Sequence, residues 1–291
     1  MGRKTHRWRW LLALGLFGGL TANAGSPVWA IHGEHNTVYL AGSVHLLKAN
    51  DASLPAAFDR AYGGSKALVM ELDMSKVDPM QAASFMMEHG MLKEGTTLRA
   101  TIGEDRYRRV SAEAERLGVP TEVIDMMEPW ALGLQLLEMQ YMKLGFDAQQ
   151  GVEQQLQHRA QADGKPISGL ETMADQLGVL EGMSYSDQAR FLDMVVTEMH
   201  DVESETQSVV TAWRTGDSAK LAALLSDEYK SFPALYRLLV TERNKRWVPQ
   251  IEKLLHGNQD YFVIVGALHL VGDGGLLDLM RRDGYKPESV N

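Results

Sequence analysis

Short apolar runs alternate with longer amphipathic stretches along the chain, and this pattern predicts its secondary structure. We predict β-strands at residues 29–32, 37–42, 67–72, 165–171 and 261–265. The runs at 67–72 and 261–265 are almost continuously apolar, which is typical of strands that are buried on both faces. Residues 33–36 contain glycine and asparagine, and predict the turn that joins the first two strands.

The stretches between these strands carry an apolar residue every three or four positions, which predicts amphipathic helices. Predicted helices cover residues 54–62, 79–89, 104–117, 130–144, 152–162, 172–180, 186–203, 209–225, 232–255 and 276–282. Buried strands separated by helices indicate an α/β fold with a mostly parallel central sheet flanked by helices. We expect the helix-rich middle of the chain to form an insertion or cap on that sheet.

The first 24 residues have the order of a secretory signal peptide. Four basic residues lie within positions 3–9, an apolar run covers 10–20, and small residues occupy 22–24. The apolar run is shorter than the roughly 20 residues that a membrane-spanning helix needs, which disfavours a membrane anchor. We therefore expect cleavage of residues 1–24 and export of residues 25–291, as one α/β domain, to the periplasm or the cell exterior.

Removal of that signal leaves a strongly acidic protein without a membrane-spanning segment. The full chain has 29 basic and 38 acidic residues, and loss of four basic residues leaves 25 against 38, a net charge of −13. Such a surface repels nucleic acid and anionic lipid, so we expect neither as a partner. The chain has no cysteine, which excludes disulfides, thiolate metal ligands and a cysteine nucleophile.

One motif, Gly-x-x-His, occurs twice after a predicted strand. It covers Gly42 to His45 and Gly266 to His269. Ligands of open α/β sheets bind outside the carboxyl ends of the strands. A glycine there lets the backbone turn tightly or approach a neighbour, so that the histidine can point back over the sheet edge. Glu71 ends a third predicted strand, and we expect it at the same edge.

Two imidazoles and one carboxylate form a ligand set that suits a divalent transition metal. Such a metal would activate a water molecule and polarise a carbonyl group, as amide hydrolysis requires. The alternative is structural, because an isolated histidine usually satisfies its hydrogen bonds locally and Glu71 could face solvent. The repeated context of His45 and His269 is the observation that favours a functional role.

Other catalytic patterns are absent from the sequence. No Gly-x-Ser-x-Gly elbow is present, so Ser43 is a poor candidate for an esterase nucleophile. No His-Glu-x-x-His pattern is present, which excludes the commonest zinc protease motif. The glycine-rich residues 271–277 lack the lysine of a phosphate-binding loop.

From about Trp29 to Tyr285 the chain resembles the TraB/PrgY/GumN family, which includes the animal Tiki proteases. Five segments in the family's order carry the resemblance: VYLAGSVHLLK, LPAAFDRAYGGSKALVMELDM, GVEQQLQHRAQADGKPISGLETMADQL, ERNKRWVPQIEKLL and FVIVGALHLVGDGGLLDLMRRDGY. Gly-x-x-His alone is common by chance, but five ordered segments over the full length are specific.

The resemblance implies a site made of His45, Glu71, Arg243, Asn244 and His269. It implies that His45, Glu71 and His269 hold a divalent metal (Mn, Co or Zn) or its activated water. Arg243 would bind an oxyanion or a substrate carboxylate, and Asn244 would orient a ligand or the substrate backbone. From the sequence alone, Arg243 and Asn244 would instead belong to the solvated face of a long helix.

Glu153 and Glu171 lie in segments that resemble the family and are secondary candidates for the site. Either could serve only as a helix cap or an ion-pair partner. The family often has aspartate where Glu153 stands here.

The resemblance also implies an activity, because some members are metal-dependent peptidases acting on secreted signalling proteins and bacterial members are connected with peptide pheromones. We therefore expect an exported, metal-dependent peptidase of the Tiki type, acting on a peptide or secreted protein. One alternative is a non-catalytic protein that binds a peptide, metal or haem in the same pocket, since more distant relatives of the superfamily include a haem-binding lipoprotein. Another is a metal-independent hydrolase, similar to erythromycin esterases, in which a histidine is the base.

Overall fold

A mixed β-sheet of six strands forms the centre of the part of the chain that the structure describes. This structure is a computed structural model that describes residues 25–228 and 232–290, with the side chains of 226–228 excepted. The predicted signal, residues 1–24, lies outside the described residues. The strands are β1 (Val28–His32), β2 (Thr37–Ser43), β3 (Ala67–Met70), β4 (Ile167–Gly169), β5 (Tyr261–Gly266) and β6 (Glu288–Ser289).

The strand order is β4-β3-β5-β2-β1-β6. Strand β5 lies at the centre and runs parallel to both β2 and β3, and β3 runs parallel to β4. Strand β1 is antiparallel to β2 and to β6. The predicted α/β fold is confirmed, and the antiparallel edge makes the sheet mixed. Because β2, β3, β4 and β5 are parallel, their carboxyl ends meet at one edge of the sheet.

The helices that surround the sheet follow the chain in this order: α1 (Ala56–Gly64), α2 (Pro79–His89), α3 (Leu98–Ile102), α4 (Glu104–Leu117), α5 (Thr121–Ile124), α6 (Pro129–Lys143), α7 (Val152–Asp163), α8 (Met173–Glu181), α9 (Tyr185–Glu198), α10 (Val202–Arg214), α11 (Ser218–Glu228), α12 (Pro233–Tyr236), α13 (Glu242–Leu255), α14 (Ala267–Leu270) and α15 (Leu276–Arg282). A π-helical turn, Arg237–Thr241, joins α12 to α13. Short 3₁₀ turns lie at Ala49–Asp51, Met74–Lys76 and Ala148–Gln150.

The described residues form two separate hydrophobic cores. In the first, α1, α7, α10, α13 and α15 pack against the sheet. Phe58 of α1 contacts Trp213 of α10 and Phe262 of β5, with ring centroids 5.8 and 5.9 Å apart. In the second core, α3 to α6 and α9 pack on one another around Trp130 and Leu192. This second core is the helical cap that the sequence predicts.

Some predicted helix boundaries are wrong. The helix predicted at 186–203 ends at Glu198, and the one predicted at 209–225 is two helices, α10 and α11. Gly216 separates those two, with a φ of +65° that other residues rarely adopt. The predicted helix at 232–255 is interrupted by the π-helical turn. Within the described residues, no helix has both the length and the apolar character to cross a membrane.

Candidate functional site

Three parallel strands bring the two Gly-x-x-His motifs and Glu71 to one edge of the sheet. Ser43 of β2 pairs with Gly266 of β5, and Met70 of β3 pairs with Ile264 of the same strand. Glu71 follows Met70 directly, so its side chain reaches the same level of the sheet. A pocket of about 400 Å³ opens at this edge, and its walls include His45, Glu71, Arg243 and His269.

Gly266 allows Glu71 and His45 to approach each other. Its backbone N–H donates a 2.6 Å hydrogen bond to Glu71 Oε1. A Cβ atom on residue 266 would lie 3.2 Å from Glu71 Oε1 and 3.3 Å from His45 Nε2. Gly266 does not have a positive φ. A glycine is needed here because the side chains of Glu71 and His45 lie close to its backbone, and not because the chain makes a tight turn.

His45 is oriented by Glu153, which lies in the first turn of α7. Nδ1 of His45 lies 2.7 Å from Glu153 Oε1, and the Ser43 hydroxyl donates a hydrogen bond to the same carboxylate. The negative charge of Glu153 is the main cause that raises the pKa of His45, to about 9. The His45 side chain is 64% exposed, so it meets solvent and any ligand at the pocket.

His269 is held in one orientation by Asn244. The Asn244 amide group donates to the backbone oxygens of His269 and Gly274 at 3.1 and 3.0 Å. Asn244 Oδ1 is therefore the acceptor that faces His269 Nδ1 at 2.8 Å, and this network assigns the ring proton to Nδ1. Burial lowers the pKa of His269 to about 4, so the ring is neutral and Nε2 carries its lone pair.

Arg243 connects the buried acidic groups of the site. Its Nη2 donates to Glu71 Oε2 at 2.6 Å and to Glu171 Oε1 at 2.5 Å, and its Nη1 donates to His269 Nε2 at 2.9 Å. All three partners and the guanidinium are less than a tenth exposed. The π-helical turn ends just before Arg243, and such turns are frequent at functional sites.

Opposing effects set the pKa values of the carboxyl groups. Burial would raise the pKa of Glu71, but nearby His269, His45 and Arg243 lower it to about 2. Burial also raises the pKa of Glu171, and there it outweighs the contact with Arg243. The site thus contains three carboxylates, counting Glu153, and a single guanidinium.

The site contains side chains of the types that bind a divalent metal, but their placement in this structure does not form a metal site. Both imidazoles have Nδ1 held by an oxygen acceptor, which is the way proteins orient histidine ligands, and Nε2 of His269 lies 3.9 Å from Glu71 Oε1. The excess of carboxylates also favours a cation. As the side chains stand, however, no three His, Asp or Glu residues among those described are grouped to hold a metal. Arg243 Nη1 occupies the lone pair of His269 that a metal would use.

The structure brings all seven candidate residues from the sequence into one cluster. The solvated-face interpretation of Arg243 and Asn244 is wrong, because they are 6% and 0% exposed. Two contacts of the site are not predicted by the sequence analysis. Ser43 bonds Glu153, and the Gln176 amide of α8 donates to Glu71 Oε2 at 3.4 Å.

Comparisons with known proteins cover almost all of the residues that the structure describes. The sequence profile described as the TraB/PrgY/gumN family matches residues 27–289. The uncharacterized protein YbaP of Escherichia coli (strain K12) is 26% identical over 243 residues, which are 84% of this chain and 87% of that protein.

Two animal proteins named as metalloproteases are more distant relatives. Metalloprotease TIKI2 of Danio rerio is 22% identical over 312 residues, which cover 86% of this chain and 58% of that protein. The metalloprotease TIKI homolog of Nematostella vectensis is 21% identical over 328 residues, covering 92% and 68% respectively. No solved structure matches the chain.

Proposed function

This chain belongs to the TraB/PrgY/gumN family, and we propose that it is a metal-dependent peptidase whose active site is the pocket at the sheet edge. One observation carries the proposal. Nε2 of His45 and Oε1 of Glu71 approach the same point beside Gly266, and Nε2 of His269 lies 3.9 Å from that same Glu71 oxygen. The names of the TIKI relatives support the same reaction class.

We propose His45, Glu71 and His269 as the residues that hold the metal, which is manganese, cobalt or zinc. When bound, the metal would lower the pKa of a water molecule and polarise the peptide carbonyl. Glu153 keeps the His45 ring oriented, and Asn244 does the same for His269. Both residues are therefore positioning residues.

Arg243 has a separate role in this proposal. Its guanidinium is fixed by Glu71 and Glu171, and it lines the pocket. A fixed positive group in a dry site stabilises negative charge that develops on a substrate oxygen. If His269 held a metal, Nη1 of Arg243 would no longer donate to His269 Nε2, and this donor would be available to the substrate oxygen.

We further propose that the protein acts after export, in the periplasm or outside the cell. The support is the order of basic, apolar and small residues within positions 1–24. A peptide or secreted protein is the substrate class that agrees with that location.

A second candidate is hydrolysis without a metal, with His45 as the proton acceptor. The Glu153–His45 pair and the Arg243–His269 contact favour it, since both are complete without any cation. In that reaction the neutral form of His45, which becomes more abundant as the pH approaches 9, takes the proton of an attacking water molecule. Glu153 stabilises the charged ring that results, and Arg243 stabilises the oxyanion.

One experiment separates these proposals. The metal content of the purified protein is measured, and cleavage of a peptide mixture is followed with Mn²⁺, Co²⁺ or Zn²⁺ and with a chelator. His45→Ala and His269→Ala are compared with His158→Ala, which changes an exposed histidine of α7 outside the pocket. We expect metal-dependent cleavage that only the pocket variants lose. Cleavage in the chelator supports the second candidate, and no cleavage under any condition contradicts both.

A further inference from the structure

A second cavity, of about 220 Å³, lies beside the candidate active site and is called the side pocket here. Helices α6, α9, α10 and α11 form its walls. Four residues line both spaces: Leu137, Tyr141, Val209 and Leu225. The two cavities therefore share a wall, and the side pocket lies directly next to the candidate active site.

The side pocket is mainly apolar. Phe191, Val195, Met199 and Val202 line it and belong to the buried apolar residues of the fold. An apolar cavity of about 150 Å³ is large enough to bind a benzene molecule. At about 220 Å³, the side pocket has room for one bulky side chain, such as that of phenylalanine.

Two carboxylates, Glu198 and Glu205, also line the side pocket. Among the described side chains neither has an ion-pair or hydrogen-bond partner. Burial raises the pKa of Glu198, and the neighbouring charge of Glu205 raises it further. A positive group beside them would relieve this repulsion, whereas a negative group would increase it.

On the basis of the proposed peptide hydrolysis, we propose that the side pocket binds a bulky apolar side chain of the peptide substrate, adjacent to a positively charged residue. Its position next to the active site, its apolar walls and its unpaired carboxylates each contribute one element of this specificity. The expected substrates are peptides with a phenylalanine- or leucine-like residue next to lysine or arginine near the bond that is cleaved.

Three matched peptides test the inference: acetyl-Ala-Phe-Lys-Ala amide, the same peptide with alanine for phenylalanine, and the same peptide with glutamate for lysine. Their affinities are measured by calorimetry on the His45→Ala protein, in which proposed turnover is blocked. We expect the phenylalanine peptide to bind about tenfold more tightly than the alanine peptide, because its ring is buried in the side pocket. The glutamate peptide should bind more weakly than the lysine peptide.

Variants of the side pocket separate the two elements of specificity. Met194→Trp fills the cavity and should remove the preference for phenylalanine. Met142→Trp is the matched control, because Met142 is 66% exposed on α6 and lines neither cavity. The double variant Glu198→Gln, Glu205→Gln keeps the shape of the side pocket, so it should keep the phenylalanine preference and lose the preference for lysine over glutamate.

Equal affinity for the phenylalanine and alanine peptides contradicts the inference, as does a preference that Met194→Trp leaves unchanged. These outcomes are independent of the proposed reaction. If the predicted preferences are found but the unsubstituted protein cleaves no peptide, the side pocket is a binding site and the proposed hydrolysis is wrong. If the unsubstituted protein cleaves peptides but shows none of these preferences, the proposed hydrolysis stands and the proposed role of the side pocket is wrong.

Discussion

Arg243 donates a hydrogen bond from Nη1 to Nε2 of His269 over 2.9 Å, and thereby uses the nitrogen that would bind a metal. The same guanidinium forms ion pairs with both Glu71 and Glu171, which are buried. A divalent cation at the proposed site would therefore take over part of the electrostatic role of Arg243. The competition between them gives the first prediction.

Arg243→Ala should lower the free energy of unfolding by about 3 to 5 kcal/mol, because it leaves buried carboxylates unpaired. Added Zn²⁺ should then stabilise the variant more than it stabilises the unsubstituted protein, since His269 Nε2 is free and negative charge is in excess. Urea denaturation with and without Zn²⁺ measures both effects.

Arg282→Ala is the control for Arg243→Ala, because Arg282 makes exposed ion pairs with Asp273 and Asp278. Its loss should cost less than about 1 kcal/mol, with no change in the response to Zn²⁺. An equal response to Zn²⁺ in all three proteins would show that Arg243 does not compete with a metal.

Gly266→Ala should impair activity and metal binding while the fold persists. The new methyl group would lie 3.2 Å from Glu71 Oε1 and 3.3 Å from His45 Nε2, so these groups must move apart by a few tenths of an ångström. Misplaced catalytic groups reduce the rate by up to about 100-fold, and we expect a loss of at least about tenfold in kcat/KM. Gly63→Ala is the control, since its Cβ would meet no atom within 4 Å. Similar activities of the two variants would contradict this role for Gly266.

Glu153→Gln should lower the pKa of His45, because the carboxylate of Glu153 is the main cause that raises it. The measurement is an NMR titration of the His45 ring in metal-free protein. Glu34→Gln is the control, since Glu34 is exposed, pairs with His35 and does not line the pocket, so this variant should leave the titration of His45 unchanged.

The same substitution has a consequence for stability. A histidine whose pKa is raised to about 9 on folding stabilises the protein fully below its unfolded value of 6.5, and this contribution disappears as the pH rises to about 9. The difference in unfolding free energy between the original protein and Glu153→Gln should therefore decrease from pH 6.5 to 9. A difference that is constant over this range would contradict the assignment.

Trp213→Phe should destabilise the first Gly-x-x-His motif. The indole Nε1 of Trp213 donates a 2.6 Å hydrogen bond to the backbone oxygen of Gly42, and its loss leaves that buried oxygen unpaired. We expect a cost of about 1 to 3 kcal/mol beyond the loss of ring volume. Trp130→Phe is the comparison, because the buried Nε1 of Trp130 has no hydrogen-bond partner among the residues that the structure describes. Chemical denaturation of both variants gives the difference, and equal losses would contradict the prediction.

The sequence predicts the sheet-edge groups well because strand direction determines where they lie. Once 37–42, 67–72 and 261–265 are parallel buried strands, His45, Glu71 and His269 must follow them at a common edge. Helix positions are less informative. The helical pattern places Arg243 and Asn244 on a solvated face, because the pattern does not show that acidic partners approach Arg243. Those partners, Glu171 and Glu71, lie 72 or more residues earlier in the chain.

The apolar periodicity of the sequence also does not predict where helices are interrupted. Apolar periodicity continues through Gly216, and only the positive φ of that glycine shows that α10 and α11 are separate. The side pocket depends on this break, since helices on both sides of it contribute walls. Cavities form from the relative placement of helices, which periodicity along a single helix does not encode.

The two hydrophobic cores have a consequence for divergence among related chains. The groups proposed to react stand on the sheet, while Met194, Val195 and Met199 of the side pocket belong to the cap core. Substitutions in the cap can therefore alter which molecules are accepted without disturbing the reactive groups. Paralogues that keep both Gly-x-x-His motifs are expected to differ most in the helices over the pocket. The same reactive groups could then act on different substrates.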